Sequence, residues 1–267
     1  MKSLDQLPAA QVATIFTDID DTLTTSGKLG APAYAALAAL QGAGLRVIPV
    51  TGRPAGWCDQ IARLWPVDAV IGENGALYMW HDTESGTLRT RHLLSEDERA
   101  RNADGLARVR ERVLREVPGC AVASDQFCRL YDLAIDFRED VPALVPAQVD
   151  RIAALMTDAG MTAKISSIHV NGWFGDYDKL SMARLMMAER YGVNLADEAQ
   201  RRACVFVGDS PNDGPMFDYF PLSVGVANVL EFADRLPHLP RFITRLPFGA
   251  GFAELAQHLL ASRGHAA

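Results

Sequence analysis

Apolar residues along the chain gather in short runs that end on polar clusters. "ATIFT" (13–17) is a β-prone run that stops at Asp18, Asp20 and Asp21, and it predicts a buried strand. "APAYAALAALQGAG" follows, rich in alanine and leucine. Pro32 suits its first helical turn and Gly44 its C-terminal cap. "RVIPVT" (46–51) predicts a second strand that runs into "TGRP". "AGWCDQIARLW" (55–65) reads as a helix, and "DAVIGENG" (68–75) as a third strand and turn. Strands alternating with helices through tight links are the pattern of a parallel sheet with crossover helices.

The rhythm then changes. "ALYMWHD" and "RTRHLL" predict a hairpin around "TESG", followed by a charged helix at about 96–116. "FCRLYDLAIDF" (127–137) alternates like a half-exposed strand, a helix runs to Gly160, and "TAKISS" and "IHVNGWF" add two strands. This α+β stretch predicts a separate domain at 80–176. The first pattern returns at 177. Asp178 can cap a helix that starts at Lys179 and buries Leu180, Ala183, Met187 and Tyr191. "ACVFVGD" (203–209) is another buried strand ending on acid, "PLSVGVAN" and "RFITR" are further strands, and a helix closes the chain at about 250–262. The fold class is therefore α/β: a doubly wound parallel-sheet core, 1–79 and 177–267, with an α+β domain inserted.

Composition narrows the function. Apolar residues make up 49% and charged residues 22%, enough for a sizeable core, and no apolar run approaches the ~20 residues that span a bilayer. The start "MKSLDQLPAAQ" lacks a signal-peptide pattern, and Cys58, Cys120, Cys128 and Cys204 form no CxxC pair. Free thiols and a cytoplasmic location are expected. The histidines show no zinc spacing. A net charge of −7 argues against nucleic-acid and membrane partners, but leaves room for a small anion in a local positive pocket.

Asp18/Asp20, Thr51-Gly52-Arg53, Lys179 and Asp209 to Asp213 all stand at strand ends or a helix start. In an open parallel sheet the ligand crevice lies at the carboxyl ends of the strands, so these groups are expected to converge. Asp18, Asp20 and Asp209 can share one hard cation; Mg²⁺ takes oxygen ligands and relieves their repulsion. A carboxylate so placed can act as a nucleophile, and the amides after Asp18, with Thr51 and Lys179, can hold phosphoryl oxygens.

"DIDDT", "TGR", a later lysine and "GDSPND", in that order, resemble the four motifs of the haloacid dehalogenase-like (HAD) phosphatases. The insertion after the second motif resembles the C2B-type cap of subfamily IIB: Cof-type and sucrose-, trehalose- and mannosyl-phosphoglycerate-phosphate phosphatases. The resemblance covers nearly the whole chain. It implies a Rossmann-like core and a Mg²⁺-dependent phosphatase working through an aspartyl-phosphate. By it, Asp18 is the nucleophile, and Asp20 is the general acid and then base, binding Mg²⁺ through its carbonyl. Thr51 and the Gly52 amide bind the phosphoryl group, and Lys179 neutralises it. Asp209 binds Mg²⁺, with Asn212 and Asp213 orienting that shell; Asp213 is also a metal ligand or a partner of Lys179. Asp21 departs from the pattern, standing where many members have glycine.

The substrate implied is a small phosphorylated metabolite, a sugar phosphate first, acted on by a monomer or homodimer. A phosphomutase acting on a hexose phosphate and a catalytically silent metabolite-binding protein are the alternatives. Lys164 competes with Lys179 but falls in a cap strand, and Arg53 reads as a structural or rim charge. Among cap residues, Arg129 is a candidate for gripping an anion and Trp173 for stacking on a sugar. Tyr131, His169 and Asn171 share those strands, each with ordinary sheet packing as the competing reading. Glu73 and Asn74 are a candidate hinge, with Gly72 and Gly75 allowing movement.

Overall fold

The computed structural model describes residues 1–264. Six parallel strands lie in the order Lys2–Ser3, Phe242–Ile243, Leu222–Gly225, Cys204–Gly208, Thr14–Thr17, Arg46–Pro49. A parallel bridge from Val50 to Ile71 carries the strand Val70–Gly72 on beyond Arg46–Pro49. Side chains alternate across this sheet. Ile15, Val47, Val205 and Val224 pack on one face with Leu37, Leu40, Phe252 and Leu255 of the helices Ala31–Gly42 and Phe248–Ala261. Phe16, Ile48 and Phe206 pack on the other with the helices Lys179–Tyr191 and Gly214–Tyr219. Two covered faces explain why the strands read as nearly unbroken apolar runs. Among the described residues, no helix is long and apolar enough to cross a membrane.

The chain grows outward from Thr14–Thr17 in both directions, so strand order reverses between that strand and Cys204–Gly208. The residues that follow these two strands are Asp18 and, one position after Gly208, Asp209. The reversal opens a crevice there.

The smaller sheet is antiparallel, in the order Thr162–Ile165, His169–Trp173, Asp132–Asp136, Ala121–Val122. Leu133, Ile135 and Val170 face the helices Glu96–Glu116 and Pro146–Asp158 and bury with Val109, Val113, Val149 and Ile152. The opposite face carries Asp132, Asp136, His169, Asn171 and Trp173, the alternate positions of the same strands. The strand expected over 127–137 begins at Asp132. Before it, Gln126–Cys128 form a 3-10 turn, and the N–H groups of Leu130, Tyr131 and Asp132 donate to the Glu73 carboxylate.

Two details shift from expectation. The hairpin Leu77–Asp82/Thr87–His92 forms, pairing with Val70–Gly72, but Leu77, Tyr78 and Met79 bury in the clusters of the parallel sheet. The helix Lys179–Tyr191 turns Met182, Ala183, Met186 and Met187 inward, while Leu180 and Tyr191 are half-buried because the buried stripe falls one step round the helix.

Gly75, in the turn after the strand Val70–Gly72, touches Asp178, where the chain comes back from the smaller domain. Gly75 has φ +108°, and a Cβ there would lie 2.1 Å from the Asp178 carbonyl oxygen. Gly75→Ala is expected to destabilise the protein by at least about 2 kcal/mol, through backbone strain and overpacking together, as read by urea unfolding. A change within about 0.5 kcal/mol would show that this approach is not a constraint.

Candidate active site

Asp18 is fixed by its backbone N–H, which donates to the Val207 carbonyl at 2.9 Å and ties it to the neighbouring strand. Lys179 opens a helix whose N-terminus is closed by a capping box between Asp178 and Ser181. That seat sends the Lys179 Nζ to Asp18 Oδ1 at 2.5 Å and to Asp213 Oδ1 at 2.7 Å. The three side chains are buried. Lys164 lies in the cap strand Thr162–Ile165, away from this cluster.

Asp18, Asp209 and Asp213 each present an oxygen within 4.8 Å of the others. Three buried carboxylates thus share one ammonium. Burial pushes the Asp18 carboxyl up to about 8; Lys179 opposes this, and Asp213 and Asp20 add to it. Burial also holds Asp209 well above the usual carboxylate range, with Asp18 and Asp213 reinforcing it. Burial works against a charged Lys179, but Asp18 and Asp213 hold its pKa above the usual lysine value. An excess of buried negative charge over one cation is the environment that a hard divalent ion fits. Among the described residues Asp209 accepts only long contacts, from Thr22 Oγ1 and Asn228 Nδ2 at 3.4 Å each, so its oxygens have capacity for a metal. Asp213 is more committed: Oδ1 takes Lys179 and Oδ2 accepts the N–H groups of Asp209 and Ser210. The Asp20 carboxylate stands outside this group and turns to Arg53.

Thr51 is buried, and its Oγ1 accepts the N–H of Arg53 at 3.0 Å. The Gly52 carbonyl accepts from Arg129 Nη1 at 2.8 Å. Arg53 differs from the rim charge expected: it is 4% exposed and reaches three carboxylates. Its Nε and Nη2 hold Asp20 at 2.8–3.0 Å, Nη1 reaches Asp125 of the smaller domain at 3.3 Å, and Nη2 with Nη1 reaches Glu139 there. The position immediately after a strand-end threonine and glycine was the sequence signal for this role.

Between the two domains lies a cavity of about 10 Å³, room for one water. Asp18, Asp20, Gly52, Arg53, Ser210 and Asn212 line it from the core. Ser166, Ser167, His169 and Asn171 line it from the smaller sheet. Of the cap candidates, His169 and Asn171 therefore reach the site and the others do not. Arg129 is fully engaged by Asp125, Asp132 and the Gly52 carbonyl, which leaves no free fork for an anion. Trp173 is wholly buried and stacked on Tyr177 at 5.4 Å, so it offers no sugar face. Tyr131 binds His92 and Arg99 through its hydroxyl. Glu73 is a buried tie, accepting N–H groups from Ala55 on one side and Leu130 to Asp132 on the other. Asn74 holds φ 54°, with both side-chain polar atoms buried and unpartnered.

Asp21 adopts φ 57°, the left-handed conformation that glycine takes readily and aspartate tolerates. Its carbonyl accepts from Asn228 Nδ2 at 2.9 Å. Asn228 was missed, although it follows the apolar strand of "PLSVGVAN" as the other polar clusters follow theirs.

Residues 15–102 match the haloacid dehalogenase-like hydrolase family. A phosphoglycolate phosphatase of Pyrobaculum neutrophilum is 32% identical over 250 residues, which is 92% of this chain and 95% of that protein. Among solved structures, a Thermoplasma acidophilum protein superposes with a TM-score of 0.69 at 18% identity, covering 93% of this chain and 98% of its own. The sucrose-phosphatase of Synechocystis sp. PCC6803, solved with sucrose and phosphate, gives 0.62 at 16% identity, covering 93% and 98%.

Lys179→Met removes the one ammonium among the buried carboxylates. It is expected to cost roughly 3–5 kcal/mol of stability, read by urea unfolding in metal-free buffer, because buried charges lose their partner. A loss below about 1 kcal/mol would show that the carboxylates do not depend on Lys179.

Proposed function

Since the chain belongs to the haloacid dehalogenase-like hydrolase family, we propose that it is a Mg²⁺-dependent phosphatase for a small phosphorylated metabolite, with Asp18 as nucleophile. The observation that carries this reading is the seat of Asp18: at the strand-order reversal, 2.5 Å from the Lys179 ammonium and grouped with Asp209. Lys179 on Oδ1 leaves the other oxygen of Asp18 for the phosphorus. As the bond from that oxygen to phosphorus forms, the bond from phosphorus to the substrate's ester oxygen breaks, and Asp20 gives that oxygen a proton. Water then attacks the aspartyl-phosphate, Asp20 takes its proton, and phosphate leaves with the Asp18 carboxylate restored. Thr51, the Gly52 amide and Lys179 hold the phosphoryl oxygens, and Asn212, on the cavity wall beside Ser210, orients the group. Asp18, Asp209 and the Asp20 carbonyl would hold Mg²⁺, with Asp213 bracing Asp209. When bound, the ion would offset the charge of the phosphoryl group.

Two substrate classes fit a closed site. A sugar phosphate is the expectation from sequence. A phosphorylated two-carbon acid is the substrate in the name of the 32% relative. We also place the boundary of the cap after the hairpin, near residue 94, because that hairpin packs with the core. Its four unpaired cysteines support a cytoplasmic setting.

Phosphate release from a panel of phosphorylated metabolites, with Mg²⁺, tests the assignment. Asp18→Asn is expected to lower turnover by at least roughly 10³-fold with the fold intact by circular dichroism. Near-normal turnover in that variant would refute the nucleophile. Exhaustive chelation is expected to silence the enzyme and added Mg²⁺ to restore it; activity that survives chelation would sink the metal role. An isomeric hexose phosphate in place of free phosphate would replace hydrolysis by transfer.

A further inference from the structure

The Glu139 carboxylate occupies an unusual place. It lies in the turn after the strand Asp132–Asp136, where Asp136 accepts the N–H groups of Arg138, Glu139 and Asp140 at 2.8 Å each. This turn aims Glu139 at two buried cap and core groups. Its oxygens meet Arg53 Nη2 at 2.6 Å and Nη1 at 3.3 Å, a two-pronged approach, and His169 Nε2 at 2.9 Å. The contact with His169 is close but poorly aligned, so Nε2 lacks a well-directed hydrogen bond. Ser167 Oγ, on the same cavity wall, is also buried without a partner. Arg53 and His169 are 4% and 3% exposed, whereas Glu139 is 26% exposed at the side chain. Of the three, Glu139 is the one on the water side, able to move out when another carboxylate takes its place at Arg53.

Resting on the phosphatase reading above, we propose that Arg53 and His169 form a subsite for a carboxylate of the substrate, and that Glu139 holds this subsite as an internal surrogate which the substrate displaces. The distances set the chemistry. Arg53 Nη2 lies 2.8 Å from Asp20 Oδ1, the group that protonates the leaving oxygen. An ester oxygen at Asp20 therefore has the guanidinium fork within one or two carbons of it. That spacing selects a phosphorylated 2-hydroxy acid, whose carboxylate lies that far from its ester oxygen. In a sugar phosphatase, by contrast, Glu139 would stay in place and accept hydroxyl groups from the substrate.

The test is the ratio of kcat/KM for 2-phosphoglycolate over ethyl phosphate, which differ by the carboxylate, in the wild type, Glu139→Gln and His169→Gln. The ratio is expected to exceed one in the wild type. It should rise about tenfold in Glu139→Gln, where the competing charge at hydrogen-bond range is gone, and fall severalfold in His169→Gln. Glu139 is partly exposed, so its variant is expected to fold normally. Hydrolysis of both esters with the same ratio in all three proteins, or a ratio that falls in Glu139→Gln, overturns the carboxylate subsite alone. Hydrolysis of neither ester nor any other phosphate ester by the wild type overturns the phosphatase reading beneath it.

Discussion

Everything at the active site depends on one electrostatic constraint: three aspartates brought close together where water is scarce. Strand-order reversal places Asp18 and Asp209 side by side, and the turn after Asp209 adds Asp213. Such crowding raises the carboxyls of Asp18 and Asp209, and a cation among them is what lets them carry charge. Lys179 is that cation, and its position is secured by several local devices. The capping box fixes the helix start, Met182, Met186 and Met187 anchor the helix on the sheet, and the ammonium is held between Asp18 and Asp213. Since Lys179 answers only part of the charge, the remaining carboxylate oxygens have capacity for a metal.

The contact between the two domains is polar where it borders the site. Glu73 ties the backbone of one domain to that of the other, Arg129 ties side chains and the Gly52 carbonyl, and Arg53 reaches from Asp20 to Asp125 and Glu139. Buried charges of this kind are costly to leave unpaired and give little net stability when paired. They do select one docking geometry, because a shift of either domain would strand several charges at once.

The core was legible in the sequence because its signals are local. Apolar runs ending on acid, a proline at a helix start and glycines after turns each report on a few neighbouring residues. The same logic located Asp18, Thr51, Lys179 and Asp209 at converging ends. The smaller domain was less legible. His169, Asn171 and Trp173 share one face of a strand by simple alternation, but only the fold reveals that Tyr177 covers Trp173 while the other two stay on the cavity wall. Arg53 and Glu139 were hidden for a different reason. Each looks like an ordinary surface charge in its own segment, and their meeting depends on how two separately folded units dock, across 86 positions of sequence.

The contact between Gly75 and Asp178 has a mechanical side. The segment 76–177, hairpin and smaller domain together, begins and ends at points that touch, so the parallel sheet is insensitive to how long or how varied the smaller domain is. It is not insensitive to where that segment ends, since Lys179 is the next residue after the return. The seat of Lys179 between Asp18 and Asp213 thus lies one peptide unit beyond the point where the returning chain touches Gly75.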